Sequence, residues 1–251
     1  MAAEGNTIDA LSQFELTHAF GPIGAAVNFT QSNAHMLIAA GLVTAIMMLG
    51  MAPRAIVPGR FQAVAETFYE FVENLVVGQI GHEGKRYFPF VFALFMFVLF
   101  GNVLGLFPYA FTYTSHIAVT FGLAFLVFVV ITVVALALHG KKFFGYFFPE
   151  GAPIWLAPII VPVEVVSYLS RPISLSVRLF ANMVAGHVLL KVFATFVVLL
   201  GSLGVVGPFV AALPLAVNVL LIGFELLVAF LQAYVFAILT SIYLHDAVHL
   251  H

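Results

Sequence analysis

The sequence has no cysteine, a single tryptophan and very little charge: nine Lys or Arg and eleven Asp or Glu make up 8% of 251 residues. Without cysteine there is no disulfide framework, no thiol nucleophile and no Cys-ligated metal. Soluble domains carry about 25% charged residues. A chain at 8% charged and 63% hydrophobic is therefore a membrane protein. A net charge of −2 supplies no basic footprint, so no nucleic acid partner is expected. The first twenty residues lack the positive and apolar regions of a signal peptide and the Arg-rich look of a transit peptide. They are acidic instead, with Glu4, Asp9 and Glu15. Residues 1–33 read as an N-terminal arm on the outside.

A membrane helix needs about 20 mostly apolar residues. Five stretches qualify, at about 34–53, 88–108, 116–139, 157–200 and 208–245. The stretch "RFQAVAETFYEFVENLVVG", 60–78, is different. Phe61, Val64, Ala65, Phe68, Phe71, Val72 and Leu75 recur at helical spacing, with Glu66, Glu70 and Glu73 on another face. It reads as an amphipathic helix in the interface plane, or one packed against other subunits. The fold class is thus all-α and polytopic, with five membrane helices and one amphipathic helix. Residues 34–251 read as a single integral membrane domain.

Lys and Arg set the orientation. Arg54, Arg60, Lys85 and Arg86 flank the amphipathic segment, and Lys141 and Lys142 follow the third span. The arm and the 109–115 loop have none. The arm and that loop face outside, and the C-terminus faces the cytoplasm. Lys191 is the exception, near the outer end of the fourth run, where its stem can snorkel to the interface.

The fourth run spans about 44 residues, or about 66 Å of helix at ~1.5 Å per residue. The hydrocarbon layer is only about 30 Å thick. The expected solution is an antiparallel hairpin of two long, steeply tilted helices, with a mild kink at Pro172. The turn falls in "GSLGVVGP", 201–208.

Polar residues on this hairpin are not scattered. At about 100° per residue, Glu164, Ser167, Arg171, Ser174 and Asn182 all fall within about 40° of Arg178. His187 falls about 180° away, on the opposite face. On the fifth run Asn218, Glu225 and Gln232 repeat every seven residues, which keeps them on one face. Counted from residue 204, Arg178 and Gln232 lie 26 and 28 residues away, and His187 and Glu225 lie 17 and 21. Each pair is expected to share a depth, so that Arg178 can reach Gln232 and His187 can reach Glu225.

A lone Ser or Asn in a membrane helix often does no more than bond to a neighbouring helix. Asn102, Asn218 and the serines stay open to that reading. Arg178 does not. A charge at mid-membrane costs about 2.5–3.5 kcal/mol even on a lenient scale and defaults to function. Arg never deprotonates in proteins, so Arg178 cannot relay protons. It can hold a fixed charge against a titrating carboxylate and stop protons passing straight through. His187 and Glu225 can change protonation state. The pattern describes two half-channels on different faces, separated by a cation, with a carboxylate on another chain moving between them.

At these residues the sequence resembles the a subunits of F-type ATP synthases. "SVRLFANMVAGH", 176–187, contains that family's essential arginine, here Arg178, with Asn182 one turn on. "ELLVAFLQAYVFAILTSIYLHD", 225–246, contains its glutamine, here Gln232, and "FGNVLGLFPY", 100–109, resembles its second-span signature with Asn102. The motifs cover roughly 85–246, and the first 80 residues match in arrangement only. His187 with Glu225 is the arrangement of the mitochondrial and alphaproteobacterial branch; many other bacterial members exchange the two residue types. Some members carry an acid near position 105, where this chain has Gly105. The resemblance implies that protons enter from outside past Glu225 and His187 and neutralise a carboxylate on a ring of c subunits, whose rotation drives ATP synthesis. With Ser174, Glu164 and Asn218 from the two stripes, these are the candidate proton-translocation residues. The implied partners are the c ring, the b and b' stalk subunits, lipid and protons. The implied location is a bacterial inner membrane rather than a mitochondrial one.

The chain has no Gly-x4-Gly-Lys-Ser/Thr loop, so it is not expected to bind ATP or to be catalytic alone. No cofactor or metal is expected. A proton-coupled secondary transporter would show internal repeats and broken helices. A bis-histidine haem protein would need a second histidine at the depth of His187. A structural anchor would leave Arg178 without a use.

Overall fold

A computed structural model describes residues 29–51, 58–107, 110–148 and 154–249. Most of the N-terminal arm expected over 1–33 lies outside these residues. Six α-helices are present among them: α1 (Gln31–Met51), α2 (Arg60–Ile80), α3 (Phe88–Gly105), α4 (Ile117–His139), α5 (Ala157–Gly201) and α6 (Gly207–Val248). All but α2 are long and apolar enough to cross a membrane. Short 3₁₀ turns join them, at His82–Arg86, Tyr113–Ser115, Gly140–Phe147, Ile154–Leu156 and Gly204–Val206.

Helix boundaries follow local chemistry. Pro sits in the first turn of α3, α5 and α6, where its missing N–H is no loss. α2 stops at Gly81, whose φ of 84° no branched side chain would favour and whose N–H caps the Val77 carbonyl. Inside α5 the helix runs unbroken through Pro162 and Pro172. The reason is environmental: in lipid a backbone break exposes polar groups that nothing can satisfy. The 45 residues of α5 and 42 of α6 form the expected antiparallel hairpin around a turn at 202–206.

α3 is the centre of the fold. Of its most apolar stretch 56% is buried, against 6% for α5. α2, the amphipathic helix, packs one face inward. Its Val72, Val76 and Ile80 join the common core, and Phe71 meets Phe95 of α3 and Phe230 and Tyr234 of α6. Its acidic face is partly paired, with Lys85 Nζ 3.5 Å from Glu73 Oε1 and Gln62 Nε2 donating to Glu66 at 2.7 Å.

Far from the turn, the hairpin is latched. Arg171 of α5 reaches Asp246 of α6 at 3.3 Å, and its guanidinium lies 4.8 Å from the ring centroid of Tyr243. Beside it Tyr168 is buried, touches Phe128, Phe143 and Phe147, and shares a 2.7 Å hydrogen bond with Thr132 of α4. Half-exposed ion pairs contribute about 1 kcal/mol or less, whereas truncating a buried aromatic costs about 3–5 kcal/mol. Asp246→Asn should therefore lower stability by no more than about 1 kcal/mol, and Tyr168→Ala by about 3 kcal/mol or more, in denaturation of the purified protein in detergent.

Candidate functional site

The expected meeting of His187 and Glu225 is present. His187 Nδ1 of α5 lies 2.7 Å from Glu225 Oε1 of α6. Glu225 is 4% exposed, and His187 is half-buried. At this distance imidazole and carboxylate meet as a close pair. The Met183 carbonyl, one turn before His187, also lies against the imidazole. Close packing needs room, and Gly186 supplies it: a Cβ there would sit 2.6 Å from Glu225 Oε1. A carboxylate buried in apolar surroundings is expensive unless paired or neutralised. The imidazole offers both solutions, since one proton shared across the pair removes both charges.

The other ring nitrogen is held as well. His187 Nε2 lies 2.8 Å from Thr112 Oγ1 and 3.1 Å from the Gly105 carbonyl, and Thr112 Oγ1 donates to that same carbonyl at 3.2 Å. Gly105 is the last residue of α3, and Thr112 immediately precedes the Tyr113–Ser115 turn. A Cβ at position 105 would collide with Thr112 Oγ1. Thr112 thus fills the place where a side chain at 105 would stand. Nothing in the sequence pattern marks Thr112, because it lies outside every helical stripe.

The same 110–116 segment meets two further histidines, His35 of α1 and its own His116. The Phe111 N–H donates to His35 Nε2 at 3.2 Å, and the Phe111 ring stacks on His116. Burial holds His116 below the ordinary histidine range and pushes the Tyr113 phenol up. His139 behaves differently, reaching the Ala247 and Val248 carbonyls at the end of α6.

Two clefts flank the ion pair. One, of about 780 Å³, is lined by Gly105, Phe107, Phe111, His187, Lys191 and Asn218. The other, of about 320 Å³, is lined by Asn182, Gly186, Glu225 and Gln232. His187 borders the first and Glu225 the second, so the pair stands between them.

The remaining candidates divide. Asn102 is fully buried and donates from Nδ2 to the Ala229 carbonyl at 3.3 Å, tying α3 to α6. The Oδ1 atoms of Asn102 and Asn218 are buried without a hydrogen-bond partner among the described residues. Arg178 and Ser174 are exposed on α5, and Glu164 and Asn182 are half-exposed beside them. The expected contact of Arg178 with Gln232 is not made. Arg178 faces outward on α5, whereas Gln232 is half-buried in the second cleft, and Arg178 has no ion pair or hydrogen bond among the described residues. Among the same residues no group of three or more His, Asp or Glu converges as a metal site.

Fold and site together define a class: a polytopic α-helical membrane protein with a titratable pair inside its long hairpin and a permanent cation on the hairpin's outer face. Residues 34–245 match the family model described as ATP synthase A chain. The chain is 67% identical to ATP synthase subunit a of Granulibacter bethesdensis over the full length of both. It is 57% identical to that of Gluconobacter oxydans, covering 98% of this chain and 99% of that one. With that of Acidiphilium cryptum it shares 57% identity over 99% and 100%. The chain belongs to the ATP synthase A chain family.

Gly186 generates a prediction. Gly186→Ala should displace the Glu225 carboxylate from His187, slowing proton flux across vesicles and lowering stability, because a buried acid loses its partner. Paired flux and thermal denaturation measurements check it.

Proposed function

We propose that this chain is the proton-translocating stator, subunit a, of the membrane sector of an ATP synthase. One observation carries the reading: Arg178, exposed and with no ion pair among the described residues, stands on one face of α5, while His187 faces the other way and meets the buried Glu225. A permanent charge blocks protons, and a titratable pair passes them. Protons from outside enter the cleft bordered by His187, Lys191 and Asn218, cross the pair to Glu225, and reach the cleft shared with Asn182 and Gln232. A carboxylate on a c subunit, moving along the exposed face of α5, takes the proton there. Arg178 then draws the ionised carboxylate past and prevents a direct leak. Ser174 and Glu164 continue that face toward the cytoplasmic side and suit the exit path. Asn102 supports the pair by fixing α3 to α6.

The surroundings of that face support a large partner. Val163, Val166, Ile173 and Val177 of α5 and Leu213, Leu220, Leu227 and Leu231 of α6 are exposed. An apolar surface of this extent is covered by lipid or by another subunit, and the c ring with its carboxylates fits it. The hairpin lies steeply inclined, because about 68 Å of α5 cannot stand upright in about 30 Å of hydrocarbon. The b and b' stalk subunits hold the chain against rotation. The chain works in a bacterial inner membrane with its N-terminus outside, and it is not catalytic on its own; ATP is made elsewhere in the complex.

Two experiments follow. Arg178→Ala should abolish ATP-driven proton pumping in vesicles while the complex still assembles. Arg178→Lys should fail too, since an ammonium lacks the planar fork of the guanidinium. Undiminished pumping by Arg178→Ala would overturn the assignment. For the orientation, cysteines placed singly at Leu203 and Lys142, both exposed, should react with an impermeant thiol reagent from opposite sides of the membrane; reaction of both from one side contradicts the topology.

A further inference from the structure

We infer that Thr112 is a positioning residue of the proton path: with the terminal carbonyl of α3 it holds the proton of His187 on Nε2, so that Nδ1 is the atom that exchanges a proton with Glu225. The inference rests on the reading of His187 and Glu225 as part of the outer path.

Gly105 closes α3, so its carbonyl has no partner within that helix. Deep in the protein such a group needs a donor. Two are at hand, Thr112 Oγ1 at 3.2 Å and His187 Nε2 at 3.1 Å. A carbonyl only accepts, so the Nε2 facing it carries a hydrogen. With the Thr112 hydroxyl hydrogen directed at Gly105, its oxygen is left to accept from Nε2–H at 2.8 Å. Reversing the hydroxyl to donate to a bare Nε2 would leave the Gly105 carbonyl without either donor. The triangle of Thr112, Gly105 and His187 therefore favours one tautomer.

The consequence lies on the opposite side of the ring, where Nδ1 faces Glu225 Oε1 at 2.7 Å. In the charged form imidazolium meets carboxylate. When the Nδ1–H bond breaks and an O–H bond forms on Glu225, the products are a neutral imidazole, still protonated on Nε2, and a neutral carboxylic acid. Total charge and proton count are unchanged. Were the neutral imidazole free to hold its proton on Nδ1, it would present no acceptor to Glu225, and the return transfer would have to wait for a tautomer exchange. Pinning Nε2–H removes that wait.

The test uses the assembled complex in vesicles. Potential-driven proton flux is measured for wild type, Thr112→Val, Thr112→Ser and His187→Gln. Nitrogen-15 spectra of labelled histidine report the tautomer, with the His187 signals assigned by their loss in His187→Gln. Thr112→Val, nearly isosteric, should reduce flux by about tenfold, the size expected for one lost hydrogen bond to a charged group. It should also bring an Nδ1–H population into the His187 signals. Thr112→Ser keeps the hydroxyl and should restore both flux and spectrum. Thr112→Val with wild-type flux, or slow flux with the Nε2–H signal unchanged, would overturn the inference, as would Thr112→Ser behaving like Thr112→Val. His187→Gln with undiminished flux would remove His187 from the path altogether and so overturn the wider reading along with this one; slow His187→Gln beside normal Thr112→Val overturns only this one.

Discussion

The hydrocarbon layer contains no water, and this single constraint orders the structure. Each polar group inside it must find a partner in the protein or carry a free-energy cost of several kcal/mol. The backbone meets the constraint by staying helical, even through Pro162 and Pro172. The end of α3 meets it differently. Its last carbonyl, at Gly105, lies against a threonine and a histidine, and that histidine in turn faces the buried Glu225. The site is thus assembled around polar groups that partner one another.

The same constraint separates the two kinds of charge on the hairpin. A histidine and a glutamate can be buried together, because moving one proton between them cancels both charges. Arginine has no such option. Arg178 accordingly stands on the exposed side of α5. Arg171, seven residues earlier on the same stripe, takes the other solution and pairs with Asp246 beneath the ring of Tyr243. One stripe therefore holds an arginine paired within the chain and one with no ion pair among the described residues. The second is where a moving partner would matter.

Glycine contributes by absence. Gly186 and Gly105 lack the Cβ atoms that would push away Glu225 and Thr112. Both flank the ion pair, from its own helix and from α3. Removing a few atoms at two backbone positions brings three separate elements to within hydrogen-bond distance of one imidazole. The hydroxyl of Thr112 then occupies ground that a side chain at 105 would have taken.

Composition and periodicity were sufficient for much of this. Low charge and five long apolar runs define a polytopic membrane protein, because a helix in lipid needs length and apolarity and little else. Spacing at 100° per residue placed Arg178 and His187 on opposite faces, and counting from the turn matched His187 to Glu225. Helix angle and rise are properties of the backbone, so these readings transfer directly to three dimensions. The same counting also matched Arg178 to Gln232, and no hydrogen bond joins them: equal depth alone does not bring two side chains into contact, and Arg178 is exposed on α5. Asp246 escaped notice because it lies just beyond the fifth apolar run, at the end of α6. Thr112 escaped because a residue in a connecting segment has no periodicity to betray it. The sequence by itself determined which residues share a helix face and a depth, since both follow from 3.6 residues per turn. Only the tertiary structure decided which faces meet, because that depends on how α3, the 110–116 segment and the hairpin pack around the Gly105 carbonyl, one of those that a helix end leaves unpaired.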